Sequence, residues 1–163
     1  MARRESSTLT NVVNRLPMKL FLSVSRFRRS VTLGVRAAAF DPAGRVFLVK
    51  HSYTPGWYLP GGGVEPGETV AMAISRELVE EGGIVLASPP ALFGLYLNRV
   101  ISQRDHVALF VCRDWTRKSP PAVPNLEIVA ADFFSPDALP DGATEATRRR
   151  LAEIAGAPRS ADW

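Results

Sequence analysis

The sequence predicts an α/β fold: a mixed β-sheet covered by helices on both faces, an α/β/α sandwich, with an extra N-terminal helix. Three observations lead there. Five apolar runs of strand length recur along the chain, at Val31 to Phe40, Arg45 to Lys50, Ala91 to Val100, His106 to Cys112 and Leu126 to Phe134. Two segments, Thr69 to Gly83 and Thr144 to Gly156, combine helical spacing with residues that cap helices. Ahead of the first strand, Leu9, Val12, Val13, Leu16, Leu20, Val24 and Phe27 also recur at helical spacing. The 163 residues thus divide into an arm over 1–30, a domain over 31–156 and a tail over 157–163.

The arm carries seven basic side chains against Glu5, so the net charge of +4 belongs to it and the remainder of the chain is slightly acidic. Pro17 predicts a kink or break in its helix. A helix docked on its own domain or on a homodimer partner is the plain reading. A basic amphipathic helix also suits an anionic membrane, an arginine-rich arm suits RNA phosphates, and a transit peptide has the same composition.

Asp41-Pro42-Ala43-Gly44 is a turn, so the first two strands are expected to form a hairpin. The loop from His51 to Pro60 carries Tyr53, Trp57 and Tyr58. An aromatic ring here can stack on a nucleobase or wall the core, and Tyr53 and Trp57 are the substrate-contact candidates, with His51 behind them. The chain then reaches Gly61-Gly62-Gly63, whose lack of Cβ atoms lets backbone approach a ligand closely.

In the helix that follows, Thr69 is the expected N-cap and Gly82-Gly83 the C-terminal stop. Ile74, Leu78 and Ala71 give it a face to bury. Glu77, Glu80 and Glu81, at i, i+3 and i+4, share another face. Carboxylates so crowded repel one another, and at least one should have a raised pKa unless a cation relieves them. Mg²⁺ or Mn²⁺, which prefer oxygen donors and accept phosphate oxygens as well, fit that need.

After this helix, Ala91 to Val100 and His106 to Cys112 read as two strands around the polar turn Ser102-Gln103-Arg104-Asp105. Arg99 and Arg104 flank the turn, either as clamps for substrate phosphates or as solvated charges. Arg113 to Asn125, rich in proline, reads as a loop that helps to close over substrate. In the closing helix Leu151 and Ile154 should face inward and Arg148, Arg149 and Arg150 face solvent. The tail should be loose, apart from Trp163. The single cysteine, Cys112, lies in an apolar run and reads as core. Having no partner for an internal disulfide, it is compatible with a cytoplasmic setting.

The order Gly62, five residues, Glu68, seven residues, then Arg76-Glu77-Leu78-x-Glu80-Glu81-x-Gly83-Ile84 resembles the complete box of the Nudix hydrolases. The resemblance covers about a seventh of the chain, and chance would produce it in on the order of one window in 10⁸. It implies hydrolysis of a nucleoside diphosphate linked to another group, with Mg²⁺ or Mn²⁺. It implies that Glu77, Glu80 and Glu81 hold metal with the Gly61 carbonyl, and that Arg76 orients the carboxylates through Glu68. Nudix enzymes often use a carboxylate beyond the box, which makes Glu127 a candidate ligand or general base, with solvent exposure as the plain alternative.

The substrate is less legible. The chain lacks the markers that would resemble Nudix enzymes for ADP-ribose, NADH or coenzyme A, which disfavours those subclasses without choosing another; a nucleoside triphosphate or a nucleotide-sugar stays as open as any. Two other readings stay open: an RNA 5′ pyrophosphohydrolase footed on the basic arm, and a nucleotide sensor without catalysis. The intact carboxylate set argues against the sensor.

Overall fold

The computed structural model describes residues 30–118 and 123–163. The arm, with the helix expected in it, lies outside them. Thr32–Trp163 forms one compact unit.

Its strands are β1 (Thr32–Ala39), β2 (Val46–His51), β3 (Ile84–Leu86), β4 (Ala91–Leu97), β5 (Asp105–Cys112), β6 (Trp115–Arg117) and β7 (Ile128–Phe134). Its helices are α1 (Val70–Gly82) and α2 (Glu145–Ile154). The mixed character lies in the order β1-β5-β4: β1 runs parallel to β5 over eight residue pairs, and β4 runs antiparallel to β5. Two antiparallel pairs, β2-β7 and β3-β6, complete the strands.

Alternation along β1 makes the layers. Val35, Ala37 and Ala39 point into one core with Phe47, Val49, Phe110, Cys112 and the α1 residues Ala73, Ile74 and Leu78. Ala38 and Phe40 point into a second core with Leu48, Leu59, Tyr96, Leu109 and Leu151 of α2. A strand whose successive side chains face opposite ways is thus buried on both sides, which is why these runs are apolar throughout.

Five expectations need correction. β1 and β2 are not a laddered hairpin: they share the single bridge Phe40–Val46, and their ladders go to β5 and β7. The stretch after Arg113 is not all loop, because β6 pairs with β3 and the Trp115 indole donates to the Phe40 carbonyl. In α1 the small residue that packs inward is Ala73, while Ala71 is exposed.

Arg150 is fully buried, not solvated. It bonds Glu153 at 2.7 Å, stacks over the Tyr96 ring and donates to the Asp162 carbonyl. Nor is the tail loose. Leu97 donates to the Ala161 carbonyl and Trp163 to the Leu97 carbonyl, each at 3.0 Å, so the tail is tied alongside the end of β4 by one parallel bridge at Asp162. Trp163 packs edge-on against Tyr96.

Candidate active site

Both ends of α1 are capped by side-chain and backbone chemistry expected of the sequence. The Thr69 hydroxyl accepts from the Met72 amide, and Gly83 takes the left-handed conformation with φ 63°. Burying Ile74 and Leu78 fixes the rotation of the helix, and that rotation presents its carboxylates to the glycine turn.

Glu81 is only 6% exposed. Its Oε2 accepts from the Gly61 amide at 2.8 Å. Burial is the main reason its pKa is pushed up to about 7; the Gly61 amide and Arg36 oppose the shift, and the neighbouring charges of Glu77 and Glu127 add to it. Crowding therefore raises a carboxylate pKa here, as the helical spacing predicts, but desolvation does more than repulsion.

Arg76 gathers the other carboxylates. Its Nε and Nη2 grip Glu68 at 3.0 and 3.1 Å, its Nη1 reaches Glu77 at 2.7 Å and Glu80 at 3.3 Å, and Nη2 also donates to the Gly63 carbonyl. That grip, led by the hydrogen bonds to Glu68, holds Glu68 below the usual carboxylate range. Among the described residues, no three His, Cys, Asp or Glu side chains already converge as a coordination group.

The glycines make room for this arrangement. Gly61 has φ +140°, and a Cβ there would stand 2.0 Å from the Val35 carbonyl oxygen. A Cβ on Gly62 would stand 2.3 Å from Glu77 Oε1. The Gly61 carbonyl, expected as a metal ligand, accepts from Arg36 Nη1, which also donates to the Leu59 carbonyl.

A cleft of about 800 Å³ opens onto the same turn. Gly62, Gly63, Arg36 and Tyr53 line it near the carboxylates, and Asn98, Asp105 and the first turn of α2 line it farther along. Tyr53 is 73% exposed and stacks on His51. Trp57 does not line the cleft; it packs against Phe134 in the second core. Arg99 and Arg104 do not line it either. Arg99 pairs with Asp162 at 2.8 Å, and Arg104 is exposed on its turn. Glu127 is exposed just before β7, near enough to raise Glu81, and its carbonyl accepts from the Ser52 amide.

Two residues at the site had little signal in the sequence. Arg36 is a lone cation within an apolar strand, which was its one trace. His51 ends β2 with a side chain 4% exposed, and burial followed by the nearby Arg36 charge pushes its pKa down.

Similarity to known proteins follows the same outline. The sequence model of one family, the NUDIX domain, matches residues 31–154. A protein of Bacillus subtilis (strain 168) named putative 8-oxo-dGTP diphosphatase is 34% identical over 76 residues, covering 47% of this chain and 50% of that one. An RNA pyrophosphohydrolase of Dinoroseobacter shibae is 44% identical over 54 residues, covering 32% and 34%. The chain thus spans no more than half the length of these two relatives. The crystal structure of a MutT NUDIX hydrolase from Burkholderia pseudomallei superposes with a TM-score of 0.65 at 28% identity, over 77% of this chain and 98% of that one. With the matched region spanning both cores, the glycine turn and the carboxylate helix, the chain belongs to the Nudix family.

Proposed function

We propose that the protein is a pyrophosphohydrolase that cleaves a phosphoanhydride in a nucleoside diphosphate linked to another group, of the nucleoside triphosphate or nucleotide-sugar type. One observation carries this reading: the buried Glu81 and its neighbour Glu77 meet the Gly61-Gly62 turn where the cleft opens. The name of the Bacillus relative supports the triphosphate branch.

The donor set fits a hard divalent cation, Mg²⁺ or Mn²⁺. Glu77, Glu80, Glu81 and the Gly61 carbonyl offer oxygen, and Glu81 is a buried carboxylate with the Arg36 charge nearby. When bound, such a cation supplies charge neutralisation for the phosphates and an acidified water. Arg76 holds Glu77 and Glu80 in place from behind, so that they need not reorganise as substrate enters. One of the box glutamates, or Glu127, takes the proton from the attacking water. In so coupled a group the proton belongs to the cluster, not to one residue. Tyr53, exposed in the cleft lining, would cover a base in this reading.

A cytoplasmic setting is part of this reading, supported by the buried, unpaired Cys112. Among the described residues, no helix is long and apolar enough to cross a membrane. A second reading, trimming of RNA 5′ ends, draws on the basic arm and on the name of the Dinoroseobacter relative.

The experiment is phosphate and nucleotide release from nucleoside triphosphates, nucleotide-sugars, dinucleotides and 5′-triphosphate RNA, in Mg²⁺ and in Mn²⁺, with Glu80→Gln alongside. Turnover of one class that falls at least roughly 100-fold in the variant is expected. Turnover that survives in Glu80→Gln would remove the site assignment, and nucleotide binding without any turnover would leave a sensor.

A further inference from the structure

His51 is the polar group at the site that the hydrolytic reading leaves unexplained. Its side chain is 4% exposed, yet neither ring nitrogen has a hydrogen-bond partner. Leaving such groups unpaired in the interior is costly, because they give up their bonds to water and gain none in return. The ring is held from two sides, by Tyr53 at 5.0 Å and Tyr58 at 5.7 Å between centroids. Its Nε2 faces Glu81 Oε1 at 3.8 Å.

That separation is too long for a hydrogen bond. It does match two donors of one cation: ligands about 2.1 Å from a metal stand roughly 3–4 Å from each other. Glu81 Oε2 is already committed to the Gly61 amide, so Oε1 is the oxygen turned toward the imidazole. Glu77 and Glu127 add negative charge beside Glu81 and Arg36 opposes it, while Arg76 is paired with Glu77 on the same helix.

We propose that His51 is a nitrogen ligand of the divalent cation held by Glu81, and that the protein therefore selects a first-row transition-metal ion such as Mn²⁺, Fe²⁺ or Co²⁺ over Mg²⁺. Imidazole is a good donor to transition metals and a poor one to Mg²⁺, which keeps oxygen ligands and water. The proposal rests on the reading of the box carboxylates as a cation site.

Pulsed electron paramagnetic resonance on the full chain loaded with Mn²⁺ tests it without reference to turnover. The chain has only two histidines, so labelling histidine with ¹⁵N isolates the signal. Coupling to a directly bound ¹⁴N is expected, replaced by the ¹⁵N pattern on labelling, lost in His51→Gln and retained in His106→Gln. Mg²⁺ should then displace Mn²⁺ more readily from His51→Gln than from the parent. Mn²⁺ that binds without histidine coupling overturns the proposal and leaves the carboxylate site standing; failure to bind Mn²⁺ overturns both. The labelled parent protein gives this answer even if the variant fails to fold.

Discussion

Glu81 and Arg150 are both buried charged side chains, but their surroundings differ in kind. Glu81 keeps its proton to about pH 7 in the folded protein against an ordinary value of 4.5. Between those two pH values Glu81 binds more proton in the folded state than in the unfolded one, so its own contribution to stability is fully present below about 4.5 and is lost as pH rises to about 7, while buried His51, its pKa pushed down, acts in the opposite sense. Thermal unfolding of the metal-free protein, taken as the difference between the parent and Glu81→Gln, should register this loss, roughly 3 kcal/mol at most. A parent-minus-variant difference that rises with pH across that window would contradict the assignment. Arg150 has its counter-charge at 2.7 Å and an aromatic ring beneath it. Removing the arginine alone strands Glu153 in the interior, so Arg150→Met should cost about 3–5 kcal/mol by denaturant titration. Adding Glu153→Gln should restore part of that. The role of Arg150 was not visible in the sequence, where Arg148-Arg149-Arg150 reads as one solvated run. Only the angular position of each residue on α2 separates them.

At the scale of elements, the glycine turn and α1 form one unit, and two neighbouring glycines serve it differently. Gly61→Ala puts a Cβ into backbone at a φ that side chains rarely adopt, and should cost roughly 3 kcal/mol or more in unfolding free energy. Gly62→Ala meets only the carboxylate end of Glu77, a flexible group. It should leave stability within about 1 kcal/mol of the parent while sharply weakening metal binding measured by calorimetry. Equal damage to stability from both would show that the Gly62 contact is not specific to Glu77. Caps, carboxylate spacing and the buried face of α1 were legible because they depend on neighbours within one or two turns. β3 and β6 were not. Strands of three residues carry almost no periodicity, and their pairing joins Ile84 to Arg117 across the whole of β4 and β5.

For the whole molecule, the sheet buried on both sides was readable from unbroken apolar runs, whereas strand order was not. A parallel pairing between β1 and β5 leaves no local mark, while the turn at Asp41 to Gly44 invites a hairpin that tertiary packing overrides. The cleft was likewise hidden, since its walls come from β1, the turn after β4 and the start of α2. The basic arm is separable from that machinery in its sequence. Deleting residues 1–28 should leave kcat/KM on small nucleotides within about threefold of the parent and should abolish any strong salt dependence of RNA binding. Loss of soluble protein on deletion would instead make the arm a docked part of the fold. The division between α1 and the cleft walls also bears on how such an enzyme diversifies. Asn98, Val100, Ile101 and Trp163 shape the far end of the cleft without bonding to any box carboxylate. A duplicated gene could therefore drift at those positions toward a new leaving group while inheriting a working reaction centre, so that ancestry and substrate become uncoupled along a lineage.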